Sequence, residues 1–387
     1  MKMILKFVSV MALTFAFHLP VAVQAAGIGV EITTELSGSA VVRDGKGLLI
    51  AEDELVGTVL LVPEQPKKLH ETHGAIPVKI ERKRGNIEPK KGRHKLMPVQ
   101  DIEGIASDGE KDVFFIGSHN PKYDDRDDER YRRFDREFLI KARLKKEKKV
   151  GNHEKEDWEL KLRGEYRDLL ATLEAPFEEE FDIDLFSDDS SPGGCSGNKK
   201  SKTLHPDIDL NIEGLAYRRV EEKGKKGKLY IGFRAPLTRD NNNAIIAVID
   251  AKKPFKEARD PCKKGDRKVE VKLMEVNLGG AGIRSLDWDP GKKRMLILSG
   301  VSGSSEEAGK STEPSATPRL WKYDSSQGDP EEVCYFEKEP KRTPEGVSRW
   351  KGKTAIVFDD ESKKPSARIR YLIEPAENGG ECKFEKP

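Results

Sequence analysis

IEGIASDGEKDVFFIGSH, residues 102–119, is the stretch whose reading decides the fold of this chain. Glu103-Gly104 opens a short apolar run, Asp108-Gly109 marks a turn, and a second apolar run ends on Ser118 and His119. Two apolar runs separated by turn residues read as a pair of antiparallel strands. One such pair fits many folds. Its recurrence narrows the choice.

Four further stretches follow the same plan: ELSGSAVVRDGKGLLIAEDE (35–54), IEGLAYRRVEEKGKKGKLYIGFRA (212–235), AGIRSLDWDPGKKRMLILSG (281–300) and PEGVSRWKGKTAIVFDDE (344–361). A polar residue recurs at one place in all five, namely Ser37, Glu103, Glu213, Arg284 and Glu345, and all but Arg284 are followed by Gly. Two more strand-like segments come after the hairpin, as in AIIAVID (244–250) with KVEVKLMEV (268–276), and PRLWKY (318–323) with EEVCYFE (331–337). A small four-stranded sheet cannot bury both faces alone and must stack on its neighbours, so a chain of such units reads as a β-propeller. A pair of β-sandwiches would need Greek-key connections and would leave the acidic-glycine pairs unexplained.

The expected fold is therefore all-β, a β-propeller of four-stranded antiparallel blades. Five repeats are counted, at 28–84, 95–175, 209–278, 279–340 and 341–387. Residues 140–205 leave room for a sixth blade, because ELKLRGEYRDLLATLEAPF fits outer strands or an amphipathic helix. Residues 26–387 are read as a single domain with inserted loops near 120–140, 180–205 and 300–318. In a propeller the first strand of each blade lines the axis, so a residue repeated at one place in that strand points to one place in the molecule. The strand-exit residues Asp53, His119, Arg234, Ser299 and Asp359 form a second repeated set.

The amino terminus predicts export. Lys2 and Lys6 precede an apolar run, and Val23-Gln24-Ala25 has the small residues that a signal peptidase accepts, so residues 1–25 read as a signal peptide. The expected location is periplasmic or secreted, with no transmembrane anchor once the leader is removed. Cys195, Cys262, Cys334 and Cys382 all lie in the exported part, where disulfides persist, and they allow three pairings. Lys and Arg total 70 against 68 Asp and Glu, a balance that excludes a surface dedicated to nucleic acid. A monomer is expected, with a small molecule or an envelope protein as partner.

At this point the chain resembles a bacterial domain-of-unknown-function family of exported, propeller-like proteins. The motifs that carry the resemblance are DIEGIA with IGSH, IEGLA with IGFRAPL, GAGIRSL, and PEGV with DDE, and they span nearly all of the mature chain. The resemblance implies a fold but no activity. More distantly, the acidic-glycine pairs are similar to those of six-bladed lactonase and phytase-like propellers, where a Glu at the channel mouth ligates calcium.

Electrostatics sharpens what the ring can be. Carboxylates brought to roughly 5 Å at an effective dielectric near 20 repel by about 3 kcal/mol per pair. A bound cation, a proton on one Glu, or pairing with Arg234 and Arg284 would offset that. Glu103, Glu213 and Glu345 are thus candidate metal ligands, a divalent cation such as calcium is the candidate cofactor, and no organic cofactor is implied. His119, Arg234, Arg284 and Asp359 are the candidate catalytic groups.

Other motifs fail inspection. GKST (309–312) lacks the earlier glycine of a phosphate loop, since Ser304 stands there. His70-Glu71-Thr72-His73 lacks the spacing that places two ligands on one helical face. DDRDDE (124–129) lacks the glycine and spaced oxygens of a calcium loop, and no G-x-S-x-G elbow occurs. Two classes of function remain. The favoured one is a ligand- or partner-binding propeller with a polar Glu/Arg site at the channel mouth, its charged insertions 120–140 and 187–204 facing a partner. The alternative is a divalent-metal-dependent hydrolase of phosphoesterase or lactonase type, with His119 accepting a proton and the arginines holding an anionic oxygen. Sequence alone leaves open whether the chain is an enzyme.

Overall fold

The computed structural model describes residues 31–32, 38–44, 47–52, 58–63, 76–81, 99, 101–120, 122–124, 129–131, 136–146, 158–186, 204–205, 208–220, 227–256, 269–302, 317–324, 326, 328–337, 342–350, 352–360, 366–373 and 379–385. After β1 (Glu31–Ile32), the first repeat forms β2 (Gly38–Asp44), β3 (Gly47–Glu52), β4 (Thr58–Pro63) and β5 (Ile76–Glu81). The second forms β6 (Ile102–Ser107), β7 (Asp112–Gly117), a hairpin of β8 (Lys122–Asp124) and β9 (Glu129–Tyr131), then β10 (Leu139–Lys146), β11 (Trp158–Tyr166) and helix α1 (Leu169–Phe181). The third contains β12 (Asn211–Arg218), β13 (Lys228–Ala235), β14 (Ala244–Asp250), the short α2 (Lys253–Lys256) and β15 (Val271–Val276). The fourth has β16 (Gly282–Asp289), β17 (Arg294–Gly300), β18 (Arg319–Tyr323) and β19 (Glu331–Tyr335). The fifth has β20 (Arg342–Trp350), β21 (Lys353–Asp360) and β22 (Ser366–Ile373), followed by β23 (Gly380–Glu381) and β24 (Lys383–Phe384).

The sheets are mostly antiparallel and arranged as a propeller. The expected count of five or six separate blades is corrected: the described strands form four large sheets, plus the β8–β9 hairpin. The physical reason is an edge contact. Outer strands β5 and β11 pair in parallel, Leu160 opposite Ile80, so the first two repeats share one eight-stranded sheet in the order β2-β3-β4-β5-β11-β10-β7-β6. The region that left room for a sixth blade splits instead into strand β11 and helix α1, which packs along β15.

The first strands of the five repeats pack in a closed circuit, β2 on β6, β6 on β12, β12 on β16, β16 on β20 and β20 on β2. Stacking explains the sequence pattern. β13 and β17 are buried at every position but the first, because each sheet meets a neighbour on both faces and alternation is lost. One core cluster fills the gap between the second and third repeats, with Phe114, Leu215, Ile231 and Phe233 at its centre. Another joins the third to the fourth through Ile246, Ile283, Leu286 and Ile297.

The chain ends close the ring. β1 supplies an antiparallel partner to β22, Glu31 opposite Arg368, so the last sheet takes a strand from the start of the chain. β23 pairs with β19 and β24 with β22, and the Cys334–Cys382 disulfide fastens this tail to the fourth repeat. Cys195 and Cys262 lie outside the described residues. These additions cover sheet edges that would otherwise present unpaired backbone groups.

Candidate functional site

Strand register shows what the recurring polar residue does. In the β6–β7 pair Ile102 faces Gly117 and Gly104 faces Ile116, so Glu103 has no opposite residue. The same skip falls on Glu213 between β12 and β13, on Arg284 between β16 and β17, and on Glu345 between β20 and β21. In the first repeat it falls on Ser39. Ser37, the residue expected there, lies outside the described residues, and the register is two positions later than the sequence alignment placed it. Each inner strand therefore carries a β-bulge at the same height. A bulge adds one residue to one strand, bends it and re-aims a side chain.

The glycine after the bulge serves packing. A Cβ on Gly104 would come within 2.7 Å of Leu215 Cβ on the next inner strand, and one on Gly214 within 2.9 Å of Ile283 Cγ2 on the one after. Only a residue without a side chain lets the sheets approach this closely. In the fourth repeat Ser285 takes the place of glycine, and its Oγ accepts a hydrogen bond from Val347 N at 3.2 Å on the adjacent β20.

Three of the bulge residues meet. Arg284 donates to both carboxylate oxygens of Glu345 and lies 3.9 Å from Glu213 Oε2. Arg234, at the exit of β13, donates from Nη1 to Glu213 Oε1 at 2.8 Å and from Nε to Val301 O at 3.0 Å. Asn211 Nδ2 donates to the same Glu213 oxygen at 2.9 Å. The side chains of Glu213 and Arg234 are 6% and 9% exposed, whereas Glu345 keeps 17%, so the cluster is deepest at Glu213 and opens toward Glu345.

Charge is concentrated at this cluster. Burial works against the charge on Arg284, but Glu345, Glu213 and Glu103 together overcome it and push its pKa up. Burial also pushes the Glu345 carboxyl up to about 7, against the pull of Arg284, with Glu213 adding to the rise. Arg284 thus lies in the field of three carboxylates, two of them in direct reach. Among the described residues no group of three or more His, Cys, Asp or Glu is placed to hold a metal. Glu213 Oε1 already accepts from Arg234 and Asn211, and both oxygens of Glu345 accept from Arg284.

The remaining expected residues are spread out. His119 is buried in the left-handed backbone region (φ 56°), and its Nδ1–H donates to Gly117 O at 2.8 Å. Ser299 Oγ accepts from Trp321 Nε1 at 2.9 Å inside its own sheet. Asp359 stands opposite Thr343, half-buried, and Asp53 lies outside the described residues. Counting two residues beyond the partner of each post-bulge position gives Asp53, Ser118, Arg234, Gly300 and Asp359 as the true equivalents. His119 and Ser299 were each displaced by one. Gly300 is informative: a Cβ there would sit 2.7 Å from Arg284 Nε, so the missing side chain makes room for Arg284.

Sequence reasoning missed Asn211 and Gly300. Asn211 had a visible signal, since N-I-E-G at 211–214 parallels D-I-E-G at 101–104. In the second repeat Asp101 is used differently, accepting from Ser118 Oγ and from Arg136 Nη1, the latter at 3.1 Å.

Residues 205–307 match a family described as a protein of unknown function (DUF3616), a narrower span than the near-complete resemblance expected from the motifs. That span holds Asn211, Glu213, Arg234, Arg284 and Gly300. No curated protein matches the chain. Among solved structures, the β-propeller domain of Cps50 (Swd1) from Myceliophteria thermophila is 10% identical, over 88% of this chain and 97% of that one, with a TM-score of 0.32. A chain of the mitotic checkpoint complex is 12% identical over 94% and 99%, with a TM-score of 0.31. The extracellular domain of the hybrid two component system BT4673 from B. thetaiotaomicron is 8% identical over 90% and 40%, with a TM-score of 0.29.

Proposed function

We propose that this chain is a binding propeller whose recognition site is the cluster of Glu213, Arg234, Arg284 and Glu345, with Glu103 contributing its charge. The carrying observation is geometric: four charged side chains meet at one height of the inner strands, and the cluster opens from the buried Glu213 toward Glu345, whose side chain keeps 17% of its surface exposed. Burial pushes the Glu345 carboxyl up to about 7 in spite of Arg284, so the open end of the cluster gains from a group that meets its charge. The buried Cys334–Cys382 disulfide supports work in an oxidising compartment, in keeping with the leader-like amino terminus.

A divalent-metal hydrolase built on Glu103, Glu213 and Glu345 would require Glu213 and Glu345 to release their arginines. The binding reading needs no such rearrangement. Its test is nuclear magnetic resonance of the Arg284 Nε–H signal while ammonium, acetate, phosphate or calcium is added at constant ionic strength. Saturable movement with at least one probe is expected. If none of the four moves the signal, the cluster is a structural lock and the binding reading is wrong; if calcium moves it most, the metal reading replaces it.

A further inference from the structure

One seam of the inner ring is built differently from its neighbours. On β16 the alternate residues Ser285, Asp287 and Asp289 turn toward β20. Ser285 Oγ accepts from Val347 N at 3.2 Å, Asp287 Oδ2 accepts from Arg349 N at 2.8 Å, and Asp289 Oδ2 lies 3.5 Å from Arg349 Nε. Strand register places Gly104 and Ala106 of β6, and Gly214 and Ala216 of β12, at the positions of Ser285 and Asp287. Those alanines have apolar company: Ala106 is buried in one cluster with Leu215, and Ala216 in another with Ile283 and Leu286. The seam between the fourth and fifth repeats thus carries a carboxylate where two equivalent seams carry a methyl group.

The outer edge of the same seam is held by other means. The tail pairs with both sheets, β23 with β19 and β24 with β22, and Cys382 N donates to Tyr335 O at 2.8 Å. The Cys334–Cys382 disulfide belongs to the apolar cluster of this seam, with Leu298, Val347 and Phe358, and Phe384 packs on Phe336 and Phe358. A covalent link fastens one edge, and a carboxylate accepting from backbone fastens the other.

We infer that this seam is a hinge, pinned at its outer edge by the disulfide-fastened tail and released at its inner edge when Asp287 gives up its proton. Opening parts the strands that carry Arg284 and Glu345. The hinge is independent of what the mouth cluster binds. Burial pushes the Asp287 carboxyl from the ordinary 3.8 up to about 7, against the hydrogen bond from Arg349 N, and Asp289 on the same strand adds to the rise. Groups on the packed elements are engaged elsewhere: the Arg349 guanidinium of β20 faces Asp289, Arg234 of β13 bonds Glu213, and Arg218 of β12 stacks over Trp288. On β17 the residue opposite Asp287 is Leu296. A carboxyl raised in the closed seam stabilises closure fully below its open-state value, and that contribution is lost as pH rises through the closed-state one. The inner edge is therefore tightest at pH 5 and loosest at pH 8.

Hydrogen exchange of the mature chain, read at single amides and corrected for the intrinsic effect of pH, tests the hinge. From pH 5 to pH 8 the protection of Val347 and Arg349 should fall on the order of 100-fold. At pH 8 both should exchange about tenfold faster than Ile212, which bonds Ser118 O between the second and third repeats, and than Cys382 at the outer edge. Low urea should not speed them, because a local opening exposes little surface. Val347 is the sharper reporter, since it bonds Ser285 rather than Asp287. Asp287→Asn keeps an oxygen for Arg349 N and should remove the fall with pH. Ser285→Ala should lower protection at both pH values and keep the fall. No fall at Val347, one common protection for all four amides at pH 8, an unprotected Cys382, or a fall that persists in Asp287→Asn would each overturn the hinge.

Discussion

The two ends of the inner strands are held by different chemistry. At the bulge end, side chain meets side chain: Glu213 with Arg234, Arg284 with Glu345. Toward the other end, side chains hold backbone. Ser285 Oγ accepts from Val347 N, Asp287 Oδ2 accepts from Arg349 N at 2.8 Å, and Arg349 Nη2 donates to Gly352 O at 2.6 Å. Arg349 Nη1 reaches Thr354 Oγ1 at 2.9 Å as well. A side chain that bonds the neighbouring backbone fixes how two sheets sit, and it cannot be displaced without unpacking them. A side chain paired with another side chain can meet an added charged group without unpacking the sheets. The difference teaches that what a polar group bonds to, more than its polarity, decides whether it fixes the sheets.

Several changes would sharpen or break this contrast, beginning with the largest effect. Glu213→Leu leaves Arg234 without its carboxylate in a nearly closed site and should cost about 3–5 kcal/mol, read as a lower denaturation midpoint. A loss below 1 kcal/mol would mean that the cluster is more open to water than its geometry indicates. Next comes pH. The Glu345 carboxyl is raised to about 7 and so is that of Asp287, chiefly by burial. A raised carboxyl stabilises the fold fully below its unfolded value, and that contribution is lost as pH rises through the folded one. Stability should thus fall between pH 5 and pH 8, by on the order of 5 kcal/mol for the two groups together. A flat profile across that window would contradict the burial of both groups.

Gly214→Ala tests the packing half of the acidic-glycine pair. Its Cβ would press within 2.8 Å of Leu286 Cγ, and overpacking of this kind costs about 1–3 kcal/mol. Ser285→Ala, at the equivalent place in the fourth repeat, removes one bond to Val347 N and should cost about 1 kcal/mol. If the serine change were the more damaging of the two, the glycine would not be there for close approach.

Much of this was legible in the sequence, for identifiable reasons. The repeated polar-glycine step was visible because the bulge recurs at one height in the inner strands and Gly104 and Gly214 follow it where neighbouring strands come close. Its consequence, that Glu213, Arg284 and Glu345 come together, followed from the repeat alone. Sheet count was not legible: the parallel contact of β5 with β11 depends on outer strands whose edges no local pattern marks. The exit residues slipped by one at His119 and Ser299 because the bulge shifts the facing register, and spacing along one strand does not record that. Gly300 read as an ordinary strand end, since a glycine that makes room for a distant arginine looks like any other.

The central claim is that Glu345, at the open end of the cluster, carries a charge that burial disfavours and so is poised for a ligand rather than fixed as a lock, and the most direct measurement is the stability of Glu345→Gln against wild type at pH 8. Glutamine keeps the size of the side chain and removes the charge that burial disfavours. The account predicts that Glu345→Gln is the more stable protein at pH 8, that the advantage vanishes by pH 5, and that Glu213→Gln is less stable than wild type at both. A Glu345→Gln protein less stable than wild type at pH 8 would show that the Arg284–Glu345 pair holds the ring together, and would contradict the claim.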